Sequence, residues 1–286
     1  MIAPRDLRAA AWWPAALTLL LTTLALGGSL LVPLAFSDPN GVDPYVVRLS
    51  ATSLLMLAAA YASRRLVGGR PVLLAIAAVT ASFTLFSAGP QILFDLFKTA
   101  GTAQILWASL AQAAVTVGIA VAAVRLLPAE LRPALRLGRF GWPAVVVSVA
   151  GVALLVLAGL ALPAGLLGRD GIQPVAIARD MPWLGPACLL QAFAQEAQFR
   201  GMLMGGLERV MGRGWANLAQ AGFFGLTHLA VSYQGPVGPF VPVTIAVGLA
   251  LGWIAQRTRS LWPAVIIHAA GDIGITLAVL PGLYGF

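Results

Sequence analysis

The feature that most constrains this chain is a series of nine apolar runs separated by short breaks rich in Gly, Pro and Arg. A bilayer core about 30 Å thick is crossed by about 20 apolar residues in helical form. Backbone groups in lipid must pair internally, so such runs favour transmembrane α-helices. We therefore predict an all-α, polytopic transmembrane helix bundle with about nine transmembrane helices, forming a single domain over 1–286. The runs lie near 11–36, 49–63, 71–94, 103–127, 141–167, 182–206, 215–233, 237–256 and 262–284.

Composition supports a membrane environment. Hydrophobic residues make up 59% of the 286 residues and charged residues only 10%, whereas soluble domains carry roughly 25% charged residues. Lipid must therefore cover most of the surface. The run at 11–36 is longer than the 7–15-residue core of a signal peptide, so we interpret it as a retained first helix. The single cysteine, Cys188, excludes a disulfide within the chain.

The net charge of +8 reflects arginines placed in the breaks between runs. No basic face with interleaved aromatic residues is present, which argues against nucleic acid as a partner. When the loops are assigned alternately to two sides, the arginine excess falls on one of them, and the positive-inside rule makes that side cytoplasmic. The N-terminus is then cytoplasmic and the C-terminus outside. The arginine-rich side holds Arg5, Arg8, Arg64, Arg65, Arg70, Arg125, Arg132, Arg136, Arg139, Arg209, Arg213, Arg257 and Arg259; the other holds Arg48, Lys98, Arg169 and Arg179.

Three segments within the apolar runs carry polar groups that a lipid-facing helix avoids: 191–201, 224–228 and 268–272. An ionised side chain at the bilayer centre costs about 2.5–3.5 kcal/mol or more, so such residues normally pair or line a wet cavity. We therefore expect the unusual chemistry of the chain to lie in these last helices. The run at 237–256 is apolar, and we expect it only to complete the bundle.

Spacing suggests specific pairs. Glu196 and Arg200 are four residues apart and share one helix face, which is consistent either with an ion pair that locks the helix or with a functional site. Gln195 lies about 100° around the helix and faces a different neighbour. His268 and Asp272 are also four apart, so Asp272 could orient the His268 ring or help to bind a metal.

The two histidines, His228 and His268, are the only ones in the chain, and both lie inside apolar runs. Their location in the helices that hold the buried carboxylates predicts one shared site. Neutral imidazole acts as a base, a hydrogen-bond partner or a metal ligand. Two histidines with a carboxylate form a set that binds zinc, but the long-range spacing leaves both zinc binding at His228 and His268 and a metal-free mechanism open.

These segments resemble the CPBP family of intramembrane proteases, which comprises CAAX-processing and bacteriocin-processing proteins. The family signature is Glu-Glu-x-x-x-Arg, Phe-x-x-x-His and His-x-x-x-Asn/Asp, in that order. The corresponding residues are Gln195, Glu196, Arg200, Phe224, His228, His268 and Asp272. The resemblance covers roughly 182–284, which would form the core helices of the site.

The resemblance implies hydrolysis of a peptide bond within the membrane, with a peptide or lipidated peptide as substrate and a bacterial cytoplasmic membrane as the location. The substrate would be a prenylated CAAX-type protein or a bacteriocin-like precursor. By analogy, the first glutamate of the motif and His228 would activate water, while His268 and Asp272 would hold the oxyanion. Arg200 would hold Glu196 in place.

The chain departs from the family at Gln195, where the motif has its first glutamate. A neutral amide cannot act as a general base. Three interpretations stay open: an engineered substitution that traps an inactive enzyme, a variant in which Glu196 supplies the base, and a non-catalytic member that binds a peptide or confers immunity. A secondary transporter is a further alternative, although no inverted repeat supports it. The sequence leaves the oligomeric state open.

Overall fold

The computed structural model describes residues 15–18, 20, 44–62, 69–97, 102–127, 129, 132–138, 140–161, 174–228 and 240–283, and these ranges contain helices and no β-strand. A long helical segment in the C-terminal half runs as an α-helix, a π-helical segment and a second α-helix. The elements are α1 (Pro44–Ala62), α2 (Arg70–Phe97), α3 (Thr102–Leu126), α4 (Trp142–Ala161), α5 (Pro174–Glu196), the π-helical segment (Ala197–Leu203), α6 (Met204–Met211), α7 (Arg213–Thr227), α8 (Phe240–Thr258) and α9 (Trp262–Leu283).

The predicted apolar runs coincide with these helices in order. From the run at 49–63 onward, each overlaps one described helix, except that the run at 182–206 covers parts of α5 and α6 and the π-helical segment between them. The first run, 11–36, lies outside the described residues except for 15–18 and 20. Two described helices are long and apolar enough to cross a membrane, namely α3 over Leu106–Arg125 and α8 over Val241–Thr258. The all-helical fold is thus confirmed for the described residues, and the count of nine transmembrane helices stays a prediction.

The outer surface of the bundle is apolar. Large side chains that point outward include Leu54 on α1, Leu154 on α4 and Trp253 on α8, each more than half exposed. Water does not favour so many exposed apolar groups, and extended apolar surfaces of this kind mark contact with a membrane or partner. This surface is consistent with a bundle surrounded by lipid.

The interior of the bundle is built around the first half of α2. Every residue from Pro71 to Thr80 is buried, and α2 packs against α1, α3 and the π-helical segment. Ala75, Ala77 and Ala78 are completely buried. Small residues at such positions let neighbouring helix backbones approach closely, which is the usual basis of packing between membrane helices.

The loop that precedes α4 folds back onto the long helical segment. A Cβ atom added at Gly205 would lie 2.7 Å from the backbone nitrogen of Ala134, so only glycine permits this approach. Leu137 pairs with Ser260 in an isolated antiparallel bridge, and Gln256 Nε2 donates to the carbonyl of Arg213 at 2.9 Å. Three loops assigned to the same side by their arginines therefore meet at one end of the bundle. Which side of the membrane this end faces stays a prediction.

Candidate active site

Glu196, the last residue of α5, is the centre of a buried cluster of charged side chains. It is completely buried. Its Oε1 atom accepts hydrogen bonds from Arg200 Nη1 and from His268 Nδ1, each at 2.7 Å. These contacts join two of the polar segments found in the sequence. The i,i+4 pair of Glu196 and Arg200 is thus present, and the nearest histidine is His268.

The helix changes its hydrogen-bonding pattern directly after Glu196. Residues Ala197–Leu203 form a π-helical segment, and Met204 N–H donates to the carbonyl of Phe199, five residues earlier. All seven residues of the segment are buried. Such π-turns are rare and frequently lie at functional sites. This segment is not predictable from the sequence, because apolar spacing does not distinguish a π-helical turn from an α-helical one.

Arg200 is the largest fully buried side chain among the described residues. In addition to Glu196, it has Gly248 of α8 as a weak acceptor, with Nη2 at 3.4 Å from the carbonyl oxygen. Its guanidinium carbon lies 4.4 Å from the centroid of the Phe224 ring, a cation–π contact. Gln220 also donates to the Gly248 carbonyl, at 2.9 Å. The 237–256 run, which was expected only to complete the bundle, therefore also contributes a backbone acceptor beside the charged cluster. A backbone carbonyl of α8 helps to hold the buried arginine.

His268 lies between two carboxylates. Its Nδ1 faces Glu196, and its Nε2 is 3.5 Å from Asp272 Oδ1. The second distance is longer than a good hydrogen bond, so Nε2 is not fully occupied by Asp272. A protonated His268 ring would donate to both sides. Asp272 is therefore close enough to orient this ring, as its i,i+4 spacing predicts.

Phe224 joins the second histidine to the cluster. Its ring is perpendicular to that of His268, with the centroids 5.6 Å apart, and it packs edge-on against His228 at 4.7 Å. The two imidazole centroids, both in contact with this ring, can therefore be no more than about 10 Å apart. His228 Nδ1 lies 2.8 Å from the Phe224 carbonyl oxygen. If Nδ1 donates there, Nε2 is the nitrogen able to accept a proton.

Gln195 lies outside this cluster. It is half-buried, and the described residues offer its amide no hydrogen-bond or ion-pair partner. The structure thus brings together Glu196, Arg200, His228, His268 and Asp272, and among the described residues Gln195 forms no hydrogen bond or ion pair with them. The catalytic role of each of these residues stays a prediction.

A second polar cluster was missed in the sequence. Gln198 of the π-helical segment donates to Ser82 Oγ of α2 at 2.6 Å and to Thr116 Oγ1 of α3 at 2.8 Å. Gln112 Nε2 of α3 donates to the Ser82 carbonyl at 3.1 Å. All four side chains are buried. Buried polar side chains therefore also lie on α2 and α3, where single Ser, Thr and Gln residues in apolar runs gave no signal.

Within the described residues, four buried side-chain polar atoms have no hydrogen-bond partner. Three of them belong to the charged cluster, and the fourth, Gln220 Oε1, lies on a side chain that shares the Gly248 carbonyl with Arg200. Since buried polar atoms are normally paired, each exception requires an explanation. The three atoms of the cluster are Glu196 Oε2, Arg200 Nε and Asp272 Oδ2.

Comparison with protein families identifies this region. Residues 177–274 match the family described as type II CAAX prenyl endopeptidase Rce1-like. The resemblance is confirmed. The matched residues include the whole charged cluster and end two residues after Asp272. No curated protein and no solved structure matches the chain.

The family match supports an endopeptidase embedded in the membrane. It covers about a third of the chain, from the first turn of α5 through α8 to the middle of α9. It does not cover α1 to α4, although α2 and α3 form part of the second polar cluster. The match therefore identifies the region that holds the cluster, and the substrate remains to be proposed.

Proposed function

We propose that this protein is an intramembrane endopeptidase in which Glu196 is the general base. The observation that supports this most directly is the state of the Glu196 carboxylate. Its Oε1 is fixed by Arg200 and His268, while Oε2 is buried and has no partner among the described residues. An unpaired carboxylate oxygen in a fixed orientation is an acceptor suited to a single bound water.

In the proposed reaction, Glu196 Oε2 accepts a proton from water as the water oxygen attacks the carbonyl carbon of the scissile peptide bond. The tetrahedral intermediate carries negative charge on the former carbonyl oxygen. When the carbon–nitrogen bond breaks, the proton passes to the leaving amine. Water supplies hydroxyl to one product and hydrogen to the other, so the step needs no further reactant. A general base typically contributes on the order of 10²–10⁴ in rate.

The histidines take complementary roles. In its protonated form, with Nδ1–H donating to Glu196, His268 can donate from Nε2 to the oxyanion, because Asp272 at 3.5 Å does not fully occupy this nitrogen. His228, whose ring packs against the same Phe224 ring as His268, would contact the attacking water. Arg200 fixes the carboxylate of Glu196.

The residues do not fit a zinc site as they are arranged. Among the described residues, no group of three His, Cys, Asp or Glu side chains is placed to hold a metal ion. His268 Nδ1 is engaged with Glu196, and the Arg200 guanidinium brings a positive charge to the same carboxylate oxygen. A cation would have to displace or oppose these contacts. We therefore derive no step through a metal and propose the metal-free route.

The substrate class rests on the family rather than on geometry. A protein matched to CAAX prenyl endopeptidases would act on a membrane-associated peptide, either a prenylated CAAX-type sequence or a bacteriocin-like precursor. The apolar outer surface of the helices is consistent with delivery of the substrate from the lipid bilayer.

A cleavage assay in detergent tests the proposal. Prenylated and unprenylated peptides of the same sequence are incubated with the full chain, and products are identified by mass spectrometry with and without a chelator. We expect cleavage that is insensitive to the chelator. Loss of cleavage on chelation, with recovery on adding zinc, would contradict the metal-free route and restore the zinc hypothesis.

A second candidate function is peptide binding without turnover, as in an immunity protein. It is favoured by Gln195, which stands at the position of the first glutamate in the family motif. Binding of a candidate peptide with no cleavage product, both in this chain and in a Gln195→Glu variant, would support this function. It would contradict the assignment of Glu196 as a working base.

A further inference from the structure

We infer that Arg136, in the loop before α4, is a positioning residue that fixes the two halves of the charged cluster relative to each other. Glu196 and Arg200 lie on the long helical segment, whereas His268 lies on α9. Arg136 contacts the first through its side chain and the element that leads into the second through its backbone. The kinetic part of this inference rests on the proposed function.

The side chain of Arg136 completes the hydrogen bonding of the π-helical segment. The last i,i+5 bond runs from Met204 N–H to the Phe199 carbonyl. The spacing then returns to i,i+4 in α6. At this change the next carbonyl in the chain, that of Arg200, loses its donor within the helix. Arg136 Nη1 donates to this carbonyl at 3.0 Å. Because an unpaired buried carbonyl is costly, this bond stabilises the irregular segment at the residue that pairs with Glu196.

The same guanidinium also contacts α6. Arg136 Nη2 forms an ion pair with Glu208 Oε2, and Glu208 Oε1 accepts a hydrogen bond from Gln256 Nε2 of α8 at 2.7 Å. Arg136 thus bridges a carbonyl in the π-helical segment and a carboxylate two turns later. A planar guanidinium can hold two such acceptors at once, which an ammonium group cannot do with the same geometry.

The backbone of Arg136 connects to α9. Its carbonyl accepts a hydrogen bond from Leu261 N–H at 3.0 Å, and the next residue, Leu137, pairs with Ser260. Leu261 immediately precedes α9, two helical turns before His268. Arg136 adopts a left-handed conformation, with φ of 49°, which is uncommon for a residue other than glycine. The loop therefore holds a strained shape that joins both helices.

The test compares three variants of the full chain in detergent. Arg136→Lys keeps the positive charge but loses the planar guanidinium that holds two acceptors. Arg132→Lys is the matched control, since Arg132 lies in the same loop and is exposed. Gly205→Ala adds a Cβ 2.7 Å from Ala134 N, which displaces the loop without removing a polar group. For Arg136→Lys and Gly205→Ala we expect kcat to fall by up to about 10²-fold, the scale of a 1 Å misplacement, with little change in KM.

A readout that does not depend on activity accompanies the kinetics. Amide hydrogen exchange, followed by mass spectrometry, should become faster in peptides covering 197–205 and 261–268 in Arg136→Lys, but not in Arg132→Lys. Peptides covering 213–227 should be unaffected. Faster exchange at 197–205 and 261–268 with unchanged exchange at 213–227 would indicate local opening, whereas faster exchange in all three regions would indicate a general loss of stability.

The outcomes separate this inference from the proposed function. If the parent chain cleaves no peptide but Arg136→Lys still shows the local change in exchange, the proposed function fails and the positioning role stands. If the parent chain is active and Arg136→Lys matches Arg132→Lys in both kcat and exchange, the positioning role is refuted. Should Arg136→Lys not fold, wild-type kcat and exchange in Gly205→Ala would refute it.

Discussion

Two polar clusters flank the same helical segment, and they differ in how completely their atoms are paired. The charged cluster joins Glu196 and Arg200 to α9, while the neutral cluster joins Gln198 to α2 and α3. Three buried atoms of the charged cluster have no partner among the described residues, and none of the neutral cluster is in this state. Both clusters are buried in an apolar bundle, so burial alone does not explain the difference.

The difference distinguishes a structural role from a chemical one. Amide and hydroxyl groups in Gln198, Ser82 and Thr116 pair with one another, and such bonds between membrane helices favour association. Burying carboxylates and a guanidinium with unpaired atoms costs folding free energy. Such groups are found together at functional sites, where the chemistry requires an unpaired acceptor. We therefore interpret the neutral cluster as one that stabilises helix packing and the charged cluster as the reactive site.

The largest effect is expected for Glu196→Gln. The amide keeps the volume of the side chain but cannot accept a proton from water, so turnover should fall by on the order of 10²–10⁴. The rate of peptide cleavage, measured by mass spectrometry, checks this. Thermal unfolding and peptide binding should be measured in parallel, because retained binding with lost turnover separates chemistry from misfolding. Turnover within about tenfold of the parent chain would show that Glu196 is not the base.

The next effect concerns stability rather than rate. Arg200→Ala leaves the Glu196 carboxylate without its cationic partner, and breaking a buried pair in this way costs on the order of 3–5 kcal/mol. We expect a clear fall in the free energy of unfolding, and lower expression. Thr80→Val is the control, since Thr80 is buried but its hydroxyl bonds only to carbonyls of its own helix. An Arg200→Ala variant with parental stability and no activity would instead place Arg200 in the chemistry.

Much of the fold was predictable because apolar runs of membrane length can form only a few structures. The helices from α1 to α9 follow the predicted runs in order. The π-helical segment was not predictable, because a pattern of apolar and polar residues only seven residues long fits an α-helix and a π-helix equally well. Gly201 and Gly205 form a small-xxx-small pair, a sequence pattern that indicates close packing. In the structure this pair lies against the loop at 134–135.

The site was predictable where spacing carries geometry. The i,i+4 pairs of Glu196 with Arg200 and of His268 with Asp272 are both in contact. The contact between Glu196 and His268, 72 residues apart, depends on how α9 packs against α5, which no local pattern specifies. The role of Phe224, whose ring contacts both histidines, and that of the Gly248 carbonyl, which accepts from Arg200, were hidden for the same reason. Both act across helices.

A smaller effect is expected in the neutral cluster. Thr116→Val removes the hydroxyl that accepts from Gln198 while keeping the shape, and single hydrogen bonds between membrane helices average about 0.6 kcal/mol. We predict a loss of unfolding free energy of about 0.5–1.5 kcal/mol, with kcat unchanged. Thr80→Val again serves as the control. A loss of kcat at unchanged stability would contradict the interpretation that the neutral cluster stabilises helix packing and takes no part in the reaction.

The smallest effect is expected for Gln195→Glu, although the family motif points to this position. Gln195 is half-buried and lies outside the charged cluster, and Glu196 already presents an unpaired carboxylate oxygen to the site. A second carboxylate at residue 195 would add a negative charge without adding a contact to His268. We therefore predict a change in kcat of less than about tenfold, well below the contribution of a general base. Gln191→Glu is the matched control, because Gln191 lies one turn earlier on the same face and is also half-buried. If Gln195→Glu instead raises turnover by on the order of 10²–10⁴ while Gln191→Glu does not, residue 195 is the position of the base. Glu196 would then be the structural partner of Arg200, and the chain as written would be an enzyme that has lost its proton acceptor.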